Sequence, residues 1–259
     1  MVHPTAVVHP KAQIGEGCDI GPYCIVGEHV VMGPGCRLHS HVVVDGHTRL
    51  GRQNEIYPFT TVGLKTQDLK WKGGLTRTEI GDCNTIREGV TIHSATGDGE
   101  ATVIGSHNSI LGGSHIGHNV LMGDHIIVSM AGVAGHVVVE DHAVVGGMCA
   151  VHQFCRVGRL SMIAGCAKVV QDVPPYMLVD GNPAETVTVN RIGMERHGIT
   201  EEAQGALRAV YKIMFREGLT LANALSKIER EVPPVPEVAH FLKFVQASER
   251  GITKWKGEV

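Results

Sequence analysis

The stretch Gly113-Ser114-His115-Ile116-Gly117-His118-Asn119-Val120 places two imidazoles three residues apart. Imidazole is the side chain whose ordinary pKa lies nearest neutrality, so such a pair can ligate a metal, act as acid and base, or sit solvated on a surface. The chain holds sixteen histidines, among them His93, His136 and His152. A solvated surface is the ordinary place for any one of them. The direction of each side chain decides between these readings, and direction follows from the backbone period.

That period is six. Aliphatic residues occupy Val8, Ile14, Ile20, Val26, Met32, Leu38, Val44, Leu50, Ile56 and Val62 without a gap. At 43% hydrophobic content, ten in succession has a chance probability of about 2 in 10,000. The spacing returns at Ile80, Ile86 and Ile92, then at Ile104, Ile110, Ile116, Met122 and Val128. After one five-residue step it runs from Val133 to Val169. Six is not a helical period, but as an even number it preserves strand alternation, so every anchor can face inward. Glycine follows many anchors, as at Gly15, Gly33, Gly105 and Gly117, and is expected to ease the backbone where the chain bends.

Alternation predicts a second inward residue four after each anchor. Cys18, Cys24, Cys36, Cys149 and Cys155 fall there, which makes five of the seven cysteines compact core fillers rather than metal ligands. Hexads of this kind mark a parallel β-helix in which three hexads make one triangular coil. Residues 64–79 and 94–103 break the period and are read as loops thrown out from the prism, where function commonly resides. The period ends over 171–185, where Pro174, Pro175 and Pro183 oppose a hydrogen-bonded coil. Helical patterns follow: one capped by Thr200 with Leu207, Val210, Tyr211 and Met214 on a stripe, one from Thr220, and one after Pro236. The expected organisation is a β-helix over 1–185 and a small α-helical domain over 186–259 that caps the coil.

Bulk properties exclude several classes. A net charge of −3 and a pI near 6.6 do not suit a nucleic-acid binder or a polybasic membrane surface. The N-terminus lacks a secretory pattern, and no apolar run approaches bilayer length, so a cytoplasmic protein without membrane insertion is expected. Seven cysteines with no CxxC pair suit a reducing compartment.

With Ile116 inward, His115 faces outward and His118 lies near a corner of the triangle. His93, His136 and His152 are candidates for the same outer surface. Beyond this the segments "NEIYPF" (54–59), "QDLK" (67–70), "IREGVTIH" (86–93), "HIGH" (115–118), "AGH" (134–136), "VHQFC" (151–155), "DVPPY" (172–176) and "GNPAE" (181–185) appear in order. In this set the whole chain resembles the UDP-N-acetylglucosamine O-acyltransferases, a family of hexapeptide-repeat acyltransferases. The resemblance implies a left-handed coil, a homotrimer with active sites between prisms, and no cofactor or metal. It implies transfer of an (R)-3-hydroxyacyl group from acyl carrier protein to the 3-hydroxyl of UDP-N-acetylglucosamine, the first step of lipid A biosynthesis. It assigns His118 as general base and the backbone N–H of Gly135 as oxyanion donor. It places Gln67, Asp68, Lys70, His93, His115, His136, His152 and Gln153 around the substrates, and Asn190 and Arg196 at the nucleotide. Gly165 falls in the acyl groove, where some relatives carry a blocking side chain.

The sequence departs from the family pattern in places. Asn119 stands where the family usually has aspartate; an amide can orient a ring nitrogen but cannot neutralise an imidazolium. Ile192 and His197 replace a glutamate and an arginine in the nucleotide-binding segment. Arg156, Arg159, Lys168 and Lys212 are candidates to receive the acidic carrier protein. The rival readings are a β-helical N-acyltransferase acting on an amino sugar, a γ-type carbonic anhydrase with three histidines on zinc, and a non-catalytic β-helix. The first usually carries an N-terminal uridine-binding domain, whereas hexads here begin by Val8.

Overall fold

A computed structural model describes residues 1–254; the last five residues of the expected helical segment lie outside the described residues. Each hexad forms a short strand, mostly of two residues, and a corner. Through most of the coil each strand pairs in parallel with the strand three further along, giving three flat faces of nine, eight and ten strands. One face carries, in order, Thr61–Leu64, Thr91–His93, His115–Ile116, Gly132–Val133 and Ala150–Val151. Its register stacks Ile92, Ile116, Val133 and Val151 inward, each at most 2% exposed. It stacks Thr91, His115, Gly132 and Ala150 outward. The second inward column holds the five predicted cysteines, all buried and unpaired. It also holds a ladder that spacing did not single out: Asn84 and Asn108 donate backbone N–H groups to the amide oxygens of Asn54 and Asn84 at 3.0 and 2.9 Å. Buried amides are tolerated there because their donors are also met, by the Gly81, Gly105 and Gly123 carbonyls.

The corners correct the expected role of glycine. Positive φ falls three residues after the anchor, at Asn119 (59°), His136 (60°) and Phe154 (66°) among others, and, apart from Gly63 (79°), not at the glycine directly after it. Those glycines answer to close stacking. A Cβ on Gly15 or Gly33 would lie 2.6 Å from a backbone carbon of the next coil. The left-handed corner is costly for bulky residues but mild for asparagine, whose short polar side chain bonds locally. The five-residue step leaves the ladder intact, with His115 opposite Gly132 and Ile116 opposite Val133, and the shortfall is taken up in a corner where Met130 has φ 45°.

The interruptions are narrower than the period suggested, because strands resume at Arg77 and Ala101. The two loops brace each other: the Thr66 and Thr96 hydroxyls are 3.0 Å apart, and the Leu75 N–H donates to Asp98 at 2.7 Å. The coil also persists beyond the prolines. Met177–Gly181 pairs in parallel with Met162–Ile163, and Ala184–Val189 folds back antiparallel upon it, carrying a strand across residue 185. Pro174 and Pro175 sit before the first of these strands and Pro183 in the turn of the hairpin, where no ladder donor is lost.

Among the described residues, four helices close this end. The first, α1 (Arg191–Arg196), is too short to show an apolar stripe and has no counterpart in the helical patterns of the sequence. The others are α2 (Glu201–Phe215), α3 (Leu221–Glu231) and α4 (Pro236–Gln246), with Thr200 and Thr220 capping α2 and α3. Leu207, Val210, Phe241 and Phe244 pack on Leu160, Tyr176, Met177 and Val189 as one core, seating the bundle on the coil. Arg156 lies 4.1 Å over the Phe244 ring and donates to its carbonyl at 3.3 Å. It braces coil to bundle; Arg159, Lys168 and Lys212 remain exposed.

Candidate active site

A cleft of about 790 Å³ opens where the outward side chains of the first face meet the two loops. Gln67, Asp68 and Lys70 enter from the first loop, and His93, His115, His118, Gly135, His136 and Gln153 from the coil. Nine residues predicted from the sequence thus line one space. Thr96 and Glu100 from the second loop join them, with Leu69 and Phe154.

His118 follows the strand His115–Ile116 at the corner, its side chain 15% exposed. Its Nδ1 lies 3.0 Å from Asn119 Oδ1, and its Nε2 faces the cleft, 3.8 Å from Asp68 Oδ2. The His136 ring meets it edge-on at 5.1 Å and is itself stacked on Phe154 at 4.7 Å. His93 and His115 form a second edge-on pair at 5.1 Å, and Thr91 Oγ1 holds His115 Nδ1 at 2.7 Å. His93, expected on the outer surface, does point away from the prism. It is nevertheless only 6% exposed, packed against His115 where the second loop departs.

Charge in the cleft is graded. Burial, and then the neighbouring His115 and His118, hold His93 below the usual histidine value; burial and then His118 do the same to His115 and His136. These three rings are therefore neutral at pH 7, available as hydrogen-bond donors and acceptors. The backbone N–H of Lys70 donates to Asp68 at 2.9 Å and keeps its carboxyl low, so a stable anion lies opposite His118.

Gly135 sits two residues after an anchor. At the same hexad position the N–H groups of Arg52, Ser106 and Asp124 donate to carboxylates of the next coil at 2.9, 2.6 and 2.9 Å. This position therefore aims an N–H at an anion outside the prism. The Gly135 N–H finds no such carboxylate among the described residues, and it borders the cleft. A Cβ at 135 would lie 2.3 Å from His118 Nε2, so only glycine leaves the ring its place.

Other predicted residues stand elsewhere in the chain. His152 is exposed, its Nδ1 3.1 Å from the Gln153 carbonyl and 3.4 Å from Arg250. Asn190 caps α1, accepting from the Gly193 N–H and donating to the Leu160 carbonyl at 2.8 Å. Arg196 lies exposed in the last turn of α1. Gly165 lies on an open corner where a Cβ would meet only the Gly147 carbonyl, at 3.4 Å. Among the described residues no group of three or more His, Cys, Asp or Glu side chains is arranged to hold a metal ion, and no helix is long and apolar enough to cross a membrane.

Fold and cleft together define a left-handed parallel β-helix of hexapeptide repeats with a histidine-rich site on one corner. Residues 172–253 match the family model described as UDP-N-acetylglucosamine O-acyltransferase, domain 2. The chain is 46% identical over 256 residues to the acyl-[acyl-carrier-protein]–UDP-N-acetylglucosamine O-acyltransferase of Stutzerimonas stutzeri, covering 98% of this chain and 99% of that one. The namesake of Thermodesulfovibrio yellowstonii is 45% identical over 255 residues, with the same coverage. Among solved structures, LpxA from Acinetobacter baumannii superimposes with a TM-score of 0.93 at 44% identity, over 97% of this chain and 99% of that one. The chain belongs to the UDP-N-acetylglucosamine O-acyltransferase family.

Proposed function

We propose that this protein moves an (R)-3-hydroxyacyl group from acyl carrier protein to the 3-hydroxyl of UDP-N-acetylglucosamine, the first step of lipid A biosynthesis, in the cytoplasm. The observation that carries the mechanism is the direction of His118, whose Nε2 opens on the cleft while its Nδ1 is held by Asn119. A sugar hydroxyl is a weak nucleophile at neutral pH. Nε2 takes its proton as oxygen attacks the thioester carbonyl, help worth about 100- to 10,000-fold. The Gly135 N–H donates to the oxyanion that forms, and collapse of the tetrahedral centre expels the carrier thiol, which recovers the proton. Asp68 stands where it offsets the charge on the imidazolium and accepts from a sugar hydroxyl. Buried Cys24, Cys36, Cys149 and Cys155 have their thiols pushed up by burial, Cys155 to about 11, which suits packing and not nucleophilic attack.

His152, Asn190, Arg196 and Gly165 are assigned to substrate contact through a homotrimer, in which the cleft of one prism is closed by its neighbour. Leu69, wholly exposed on the loop tip beside the cleft, supports this, since so exposed a leucine gains by burial against a second chain. The absence of a Cβ at Gly165 leaves the groove open to longer acyl chains.

The test is to incubate the protein with UDP-N-acetylglucosamine and a panel of 3-hydroxyacyl carrier-protein donors and to identify the product by mass spectrometry. An ester cleaved by mild base is expected. An alkali-stable amide formed only with an amino sugar, or no acyl transfer from any donor, contradicts the reading.

A further inference from the structure

The cleft contains a carboxylate that neither the sequence motifs nor the mechanism above uses. Glu100 closes the second loop by accepting from the Gly97 N–H at 2.9 Å, and the same oxygen accepts from Asn119 Nδ2 at 2.6 Å. Asn119 in turn presents Oδ1 to His118 Nδ1 at 3.0 Å, and that oxygen also accepts the Thr96 N–H at 3.0 Å. We propose that Glu100 is a positioning residue for His118, acting through the Asn119 amide to fix which ring nitrogen carries the proton.

Donors and acceptors decide the orientation. An amide has one end that donates and one that accepts, and the two can exchange places by a flip. An ionised carboxylate only accepts, so Glu100 admits only the NH₂ end of Asn119. The bond from Asn119 and that from Gly97 both hold the Glu100 carboxyl below its usual range, which keeps it ionised. The oxygen end must then face His118, whose Nδ1 must donate. The proton is thereby placed on Nδ1 and the lone pair on Nε2, toward the cleft. Aspartate at position 119 would enforce that tautomer by itself. Asparagine does so only when something dictates its orientation, and Glu100 together with the Thr96 N–H supplies this from the second loop. Both partners lie within 94–100, so the loop that follows His93 also orients the base. This inference rests on the assignment of His118 as base and adds the residue that sets its proton.

The charge pattern predicts a specific conflict. A carboxylate at position 119 would stand at the present 2.6 Å contact with Glu100, and two carboxylates that close cannot both ionise. Asn119→Asp should therefore cost activity when Glu100 is present and regain it when Glu100 becomes glutamine, which can turn its NH₂ toward the introduced carboxylate. The other charged or titratable groups around His118 are Asp68, Lys70, His93, His115 and His136, and all are unchanged across these variants.

The experiment compares the parent, Glu100→Ala, Glu100→Gln, Asn119→Asp and the double variant in acyl transfer, with kcat and KM separated and pH profiles recorded. Glu100→Ala is expected to lower kcat on the order of tenfold with KM little changed, the scale for loss of an orienting partner; Glu100→Gln should retain most of the rate. The double variant should exceed Asn119→Asp in kcat and shift the acidic limb upward from the parent. Nitrogen-15 spectra of histidine-labelled protein, with His118 assigned by its substitution, read the ring tautomer without turnover. Nδ1 should be the protonated nitrogen in the parent, with a mixture in Glu100→Ala. A parent that transfers nothing overturns the functional reading alone, because the tautomer still reports on Glu100. An unchanged tautomer in Glu100→Ala, or a double variant no better than Asn119→Asp, overturns the role of Glu100.

Discussion

At the residue scale the site depends on what one backbone position permits. Gly135 has no side chain because His118 Nε2 occupies the place of its Cβ. Gly135→Ala is expected to displace the ring and the N–H together and to lower kcat by about 100-fold or more, the range for loss of an oxyanion donor. Circular dichroism should show the coil retained. A variant within threefold of the parent would mean that neither group is used. Sequence reached this site unevenly. Spacing alone put His115 outward and His118 at a corner but could not choose between them; the resemblance made that choice. Glu100 carried no signal, since it precedes the strand at Ala101 and lies outside any hexad. Its relevance exists only through a contact with Asn119, nineteen residues away.

At the scale of elements the hexad accounts for nearly everything in the coil. From Ile20 onward each anchor is sealed inside, while Val8 and Ile14 in the first coil are only partly buried. An even period never changes faces, and loss of one anchor is felt by the coils on either side. Ile110, fully buried between Ile86 and Val128, should cost about 2–5 kcal/mol when replaced by alanine, read as a shift in the urea midpoint. A change under about 0.5 kcal/mol would deny the stacked core. The glycines show where pattern reading stops. Their spacing was visible, but whether they serve positive φ or close approach depends on the separation of coils, which only coordinates give. In the same way, the prolines at 174 and 175 looked like an end because a sequence does not show which N–H groups face a ladder.

Four histidines on the faces and corners set a pH dependence. His93, His115, His136 and His142 are all held below the ordinary value of 6.5, first by burial in every case. Below that value the unfolded chain binds more protons than the folded one, so stability must fall as pH falls. The urea midpoint is expected to decline between pH 7 and pH 5, and less steeply in His93→Gln. A midpoint independent of pH over that interval would contradict the burial of these rings.

For the whole molecule, the proposed trimer is what would complete the site on a single prism. The cleft is open to solvent, Leu69 is fully exposed at its edge, and His152, Arg196 and Gly165 are exposed and not among its lining residues. The proposed trimer would give these residues a common purpose, and sedimentation should then report about three times the 27.7 kDa chain mass at micromolar concentration. A monomer under those conditions would remove the basis for assigning them to substrate. The helical bundle, legible from caps at Thr200 and Thr220, was harder to place, because its docking depends on Arg156 and Phe244, distant in sequence and brought together only by the coil's end.

The most direct test of the account is the kcat of His118→Ala for transfer from a 3-hydroxyacyl carrier protein to UDP-N-acetylglucosamine. The ring takes no part in the coil's core, so the variant should fold and melt like the parent while its rate falls by about 100- to 10,000-fold. A correctly folded His118→Ala that keeps a tenth or more of the parent rate would show that another group takes the proton.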